Sequence, residues 1–125
     1  QGGHSVAKKT LLEIIQGLSL TTNLELCLDA GDGNSYTSGT KWLDVSGNGY
    51  DFFRGATISA ATDDPTFNGA AGGLSSAEYW SFDGADFFEL DQANPTAFEN
   101  MHKNNADCTI IAVVDHGDSG SIGRI

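Results

Sequence analysis

Three oxygen-bearing side chains crowd one short stretch of this chain: Asp29, Asp32 and Asn34, in and beside a loop (30–39) rich in Gly, Asp, Asn and Ser. Hard oxygen donors at such short spacing are what calcium takes. The spacing departs from an EF-hand, and no bidentate Glu follows where that loop would need one. The stretch is therefore a candidate calcium site set against a plain solvated loop, and no other cofactor is expected. Tyr36 and Tyr50 are candidate flat platforms for a sugar, since an exposed phenol ring offers an apolar face and a polar rim. Cys27 and Cys108 lie far apart and both fall in strand-like runs, which leaves a disulfide and two free thiols both open; two cysteines make no framework. His116 beside Asp115 reads as a solvent-facing turn residue rather than a catalytic base. The sequence contains no CxxC pair and no HExxH, and its Gly-rich turns lead into strands rather than helices, so zinc and phosphate cradles are not expected.

Composition narrows the class. The 125 residues allow one domain with a modest core. At 39 % hydrophobic and 18 % charged the chain is globular in composition. Sixteen Gly against two Pro point to an all-β protein of short strands joined by tight corners. The formal net charge of −11, from 17 acidic and 6 basic residues, repels phosphate backbones and anionic lipid, so neither nucleic acid nor a membrane surface is an expected partner. No apolar run reaches the roughly 18 residues that span a bilayer. The start, Gln1-Gly2-Gly3, admits processing, a tag or a longer parent chain.

The elements that must position these residues follow from pattern. Ser5 to Leu18 is expected as the one helix, with Ser5 as N-cap and Gly17 as the stop. Leu11, Ile14, Ile15 and Leu18 then form one apolar stripe that needs a partner, either its own domain or a neighbouring subunit. Residues 1–22 thus read as a helical anchor or oligomerisation segment and 23–125 as a β-domain. Asn23–Asp29 alternates with period 2 and reads as a half-buried strand, Leu24, Leu26 and Leu28 on one face and Cys27 on the other. Trp42 anchors the next piece, and Ser46-Gly47-Asn48-Gly49 reads as a tight turn that Asp44 can cap by accepting from its backbone N–H groups. Tyr50–Ile58 is expected as a strand and Pro65–Phe67 as the start of an edge strand. Glu78–Phe82 is another strand, with Phe87–Leu90 as its hairpin partner or continuation. A helical turn is expected around Phe98 and Met101. Cys108–Asp115 is the most strongly β run, apolar enough to be buried on both faces, followed by a turn (116–121) and the beginning of a strand.

The order Leu24–Ala30, Trp42-Leu-Asp-Val-Ser-Gly-Asn-Gly49, Tyr79-Trp-Ser-Phe-Asp-Gly84 and Thr109–Val114 resembles concanavalin A-like lectin/glucanase domains. Within them it is most similar to the laminin G-like jelly rolls of bacterial surface proteins and phage structural proteins. The resemblance covers about residues 23–125 and rests chiefly on the Trp-x-Asp-x-Ser-Gly-Asn-Gly element. It implies an antiparallel jelly-roll β-sandwich of two sheets, with ligands held by loops or by the concave face. A jelly roll needs about eight strands, and only five or six are legible before Ile125. The sandwich is therefore expected to be incomplete here, finished by further chain or by another subunit, the first being preferred.

Relatives of that fold include laminarinase-type glycosidases, whose acids alternate along one strand as Glu-x-Asp-x-x-Glu. Glu89-Leu90-Asp91 supplies two of these, but Gln92, Ala93 and Asn94 follow where the third acid should stand. A retaining glycosidase needs its second carboxyl about 5–5.5 Å from the first, so no catalytic residues are assigned. The expectation is a non-enzymatic structural or adhesive module of a virion, such as a head fibre, tail fibre or decoration protein. Its partners would be other virion subunits, copies of itself and a cell-surface glycan. A secreted carbohydrate-binding module is the alternative, and a degenerate glycosidase the third reading.

Overall fold

A computed structural model describes residues 6–93, 103 and 105–115. Chain contacts divide it into two units, Gln1–Pro95 and Thr96–Ile125. The expected cap at Ser5, the turn around Phe98 and Met101, and the turn and strand after Asp115 lie outside the described residues.

The first unit opens with helix α1, Leu11–Gly17, capped by Thr10 rather than Ser5. The Thr10 hydroxyl accepts from the Glu13 N–H (3.1 Å), and the Glu13 carboxylate accepts from the Thr10 N–H (2.9 Å). This is a reciprocal capping box, and its Thr-x-x-Glu signature was legible in Thr10-Leu-Leu-Glu13. It corrects the expected start: Val6–Ala7–Lys8–Lys9 precedes the helix without being helical. Leu18 is the C-cap, its N–H returning to the Ile14 carbonyl. No residue of α1 is buried. Leu12 and Ile15 are half-buried, while Leu11, Ile14 and Leu18 are 41, 47 and 63 % exposed. Ile15 thus turns away from the other three members of the expected stripe.

Among the described residues five strands, each of two or three residues, form two antiparallel sheets, and with one short helix the described fold is all-β. The first sheet has the order β1 (Lys41–Trp42), β2 (Phe52–Arg54), β5 (Phe88–Leu90). Its register pairs Trp42 with Phe52 and Phe52 with Leu90, and Arg54 with Phe88. The second sheet pairs β3 (Thr66–Asn68) with β4 (Tyr79–Ser81), with Phe67 opposite Trp80. Because side chains alternate across a strand, one face of the first sheet carries Trp42, Phe52, Arg54, Phe88 and Leu90, and the other carries Lys41, Phe53 and Glu89.

The aromatic faces of the two sheets meet. Trp80 lies with ring centroids 5.5 Å from Trp42, 5.2 Å from Phe88, 5.2 Å from Phe67 and 4.6 Å from Tyr36. The tilted and edge-on angles are those that the ring quadrupole favours. Arg54 closes this cluster: its guanidinium sits 5.3 Å over the Trp80 ring and donates to the carbonyls of Pro65 (2.7 and 2.9 Å) and Gly39 (2.8 Å) and to the Tyr36 hydroxyl (3.2 Å). Among the described residues the buried apolar side chains are Cys27, Tyr36 and Pro65; the other aromatics of the cluster are half-buried.

Several expected strands are corrected. Asn23–Asp29 forms no strand, and Cys27 rather than the leucines is its innermost side chain. The segment is held instead by the Asp44 carboxylate and by one backbone bond, Val45 N–H to the Cys27 carbonyl. The Tyr50–Ile58 strand is confined to Phe52–Arg54, because Gly55 (φ 74°) turns the chain and leaves Ile58 62 % exposed. Phe88–Leu90 pairs with β2, not with β4. In the second unit the Cys108–Asp115 run forms no strand and is not buried: Ile110, Ile111 and Val113 are 74, 87 and 101 % exposed. β propensity is expressed through cross-strand neighbours, and the described residues of that unit supply none.

Candidate functional site

The turn after Trp42 is built around one carboxylate. Asp44 Oδ1 accepts from the N–H groups of Cys27 (3.0 Å) and Ser46 (2.9 Å), and Oδ2 accepts from the Ser46 hydroxyl (2.7 Å) and the Tyr50 N–H (3.1 Å). Its own N–H donates to Asp51 Oδ1 (3.0 Å). Asn48 spans outward, its amide donating to the carbonyls of Leu24 (2.9 Å) and Glu25 (3.0 Å). Gly47 (φ 99°) and Gly49 (φ 76°) supply the left-handed backbone that the turn requires. Burial acts to raise the Asp44 pKa, but hydrogen bonds from Cys27, Ser46 and Tyr50 outweigh it and hold the carboxyl below the ordinary carboxylate range. Every oxygen valence here is spent on folding. Trp42, Asp44, Ser46, Gly47, Asn48 and Gly49 form a corner that ties the 24–28 segment to the first sheet.

The candidate calcium ligands are committed in the same way. Asp29 Oδ1 accepts from the Gly31 N–H (2.9 Å), and Oδ2 accepts from the Leu11 N–H (2.8 Å), which puts a negative charge on the start of α1. Asp32, 4 % exposed, accepts from the Asn34 N–H (2.8 Å) and its amide (3.0 Å). The Asn34 amide is therefore a donor toward Asp32 rather than a second oxygen turned to a shared centre. Among the described residues no group of three or more His, Cys, Asp or Glu gathers as a metal would need. Cys27 sits among these acids: burial first, then the charges of Asp29, Asp44 and Asp32, push its thiol up to about 11. It is a protonated, inert thiol. Both cysteines are free, Cys27 buried and Cys108 exposed.

Tyr36 is corrected as a sugar platform. It is 5 % exposed, its ring is packed on Phe67 and Trp80, and its hydroxyl donates to the Gly39 carbonyl (3.2 Å). A ring enclosed on its faces cannot stack on a ligand. Tyr50 is half-buried, with its N–H held by Asp44. Of the two acids Glu89 and Asp91, Asp91 is ion-paired with Lys41, whose ammonium also lies over Phe53, and Glu89 is exposed.

What the sequence pattern missed is a cleft of about 360 Å³ between two loops. The β2–β3 loop contributes Ala61, Thr62 and Asp64, and the β4–β5 loop contributes Phe82, Asp83 and Asp86. Thr66 and Ser81 form its floor. The loops are stitched by Gly55 N–H to the Phe87 carbonyl (2.8 Å) and Phe87 N–H to the Asp63 carbonyl (3.2 Å). Asp83 Oδ1 accepts from the Ala85 N–H (3.1 Å) and Asp86 Oδ2 from the Asp83 N–H (3.0 Å), so the second loop is self-capped. Asp64 Oδ1 is buried and has no hydrogen-bond partner. No basic side chain lines the cleft, and Phe82 stands 54 % exposed at its wall. Both loops were readable as turns from Asp63-Asp64-Pro65 and Asp83-Gly84. Their juxtaposition depends on the pairing of β5 with β2, which no local pattern announces. Comparison with protein-family models, curated proteins and solved structures finds no match for this chain.

Proposed function

We propose that this protein is a non-enzymatic structural or adhesive module of a virion, a fibre or decoration subunit, in which α1 attaches the chain to neighbouring subunits and the β-domain is displayed. The observation that carries the reading is the apolar side of α1: Leu11, Ile14 and Leu18 lie open on the isolated chain, and Val6 (88 % exposed) and Leu20 (61 %), before and after the helix in sequence, are exposed as well. Leaving this much aliphatic surface in water forgoes about 25 cal/mol for each Å², and an exposed contiguous apolar patch marks an interaction surface. The Asp29 carboxylate holds the start of the helix to the β-domain, so the stripe is presented at a defined place.

We read the two sheets as part of a laminin G-like jelly roll of the concanavalin A-like kind, on the resemblance of the Trp42–Gly49 element. Two antiparallel sheets meeting through aromatic faces support this reading, as do cluster aromatics that remain half-buried and would gain from further cover. The use of Asp29, Asp32, Asp44 and Asp91 as caps and ion-pair partners favours a scaffold over a reaction centre. Sedimentation of the purified chain tests the proposal. The parent is expected to be multimeric and Ile14→Asp monomeric with an unchanged circular-dichroism spectrum. A parent that sediments as a monomer at every concentration overturns it.

A second reading, a carbohydrate-binding module, has one favourable observation. Tyr79 is 52 % exposed on the outward face of the second sheet, opposite Asn68 in the register. A ring with an amide beside it is a sugar platform in miniature. Glycan-array binding that Tyr79→Ala abolishes would establish this reading, and an array blank for the full-length protein would remove it.

A further inference from the structure

The charges of this chain are unevenly committed. Lys41 is paired with Asp91, and Arg54 is spent on two carbonyls and two aromatic side chains of the core. Lys8 and Lys9 are exposed and have no partner among the described residues. They stand on the non-helical arm before α1, flanked by the exposed Val6. In the same unit, the cleft between the β2–β3 and β4–β5 loops carries Asp64, Asp83 and Asp86 with no lining cation, beside the exposed Phe82 ring. One surface is basic and aliphatic, the other acidic and aromatic.

We propose that the arm of one copy docks in this cleft of a second copy, Lys8 and Lys9 meeting Asp83 and Asp86 while Val6 packs on Phe82. The inference rests on the assembly reading above and adds the receiving surface. Three features favour a second copy as the occupant. Lys8 and Lys9 on one side and Asp83 and Asp86 on the other have no ion-pair partner among the described residues, in a molecule whose net charge of −11 would otherwise keep copies apart. The residues from Val6 to Thr10, outside the helix, span about 17 Å when extended, enough to lie across an opening of this volume. Finally, the arm is exposed, so its own cleft does not hold it. The contact joins different patches on the two copies and is therefore head-to-tail, building a ring if the rotation closes and a filament if it does not.

Charge reversal with rescue tests it. By sedimentation velocity on the full chain, association should weaken at least about tenfold between about 0.01 M and 1 M ionic strength. Lys8→Glu/Lys9→Glu and, separately, Thr62→Lys/Asp86→Lys should each weaken it by a similar factor at low salt. The four substitutions together in one chain should restore it. Because Asp86 caps its own loop, Ala61→Lys/Thr62→Lys is the companion variant; it leaves every hydrogen bond named above in place and should weaken association likewise. Association untouched by both reversals, or reversals that each dissociate the assembly without rescue in combination, overturns the inference. If Ile14→Asp dissociates the multimer while the charge variants do not, the cleft inference falls and the helix reading stands. Cleft variants that abolish glycan binding and leave assembly intact would give the cleft to a sugar instead.

Discussion

Asp44 and Asp64 are both half-buried aspartates beside a glycine corner, and they are used in opposite ways. Asp44 accepts four hydrogen bonds from Cys27, Ser46 and Tyr50. Asp64 keeps one buried oxygen without a donor, tucked where a side chain on Gly55 would come within 2.5 Å of it. In a chain this acidic, hydrogen-bond donors separate the two kinds of acid. A carboxylate that closes a turn through several backbone donors is structural material, and its neighbours in sequence reveal it. A carboxylate brought beside others by strand pairing, with a buried oxygen that no donor meets, is not explained by its own turn.

The largest effect is expected from emptying the anchor of the Asp44 corner. Trp42→Ala removes a ring that packs on Trp80 and Phe88. It should cost about 3 kcal/mol in chemical denaturation, the low end for a large aromatic because Trp42 is only half-buried. A melting curve superimposable on the parent would remove the corner from the list of stabilising features. Next, Asp44→Asn should cost about 2 kcal/mol near neutral pH, since four donors lose a charged acceptor. The carboxyl titrates below its unfolded value in the folded state. Its contribution is therefore complete above the unfolded pKa of about 3.9 and disappears as pH falls through the folded value. The difference between parent and Asp44→Asn should accordingly be constant from neutral pH down to about pH 5 and shrink below about pH 4. A gap that persists undiminished in strong acid would mean that shape rather than charge is what Asp44 supplies. The smallest effect is reserved for the cleft. Asp64→Asn should change stability by no more than about 1 kcal/mol and without loss, because it neutralises a carboxylate whose buried oxygen has no donor. A loss matching that of Asp44→Asn would erase the distinction between the two acids.

Much of the local chemistry was legible. Ser46-Gly47-Asn48-Gly49 reads as a left-handed turn because few other residues tolerate positive φ, and Asp44 two residues before Ser46 is where a cap must stand. The capping box at Thr10 and Glu13 was equally legible, although Ser5 offers a competing N-cap. The strand lengths were not legible. Period-2 alternation from Leu24 to Leu28 marks extended backbone, yet a strand exists only where a second backbone presents matching N–H and C=O groups, and here the Asp44 side chain took that place.

Residue order alone set the class of the protein: strands joined by many corners, an acidic surface and one amphipathic helix too short to stand alone. These follow from composition and from near-neighbour sterics, which act within a few residues. Only the tertiary structure decided which strands pair, that Tyr36 is core rather than platform, and that two ordinary turns enclose an acidic cleft. Those outcomes depend on contacts between residues far apart in the chain. Their free energy comes from the burial and alignment of many groups at once, and no single stretch of sequence carries it.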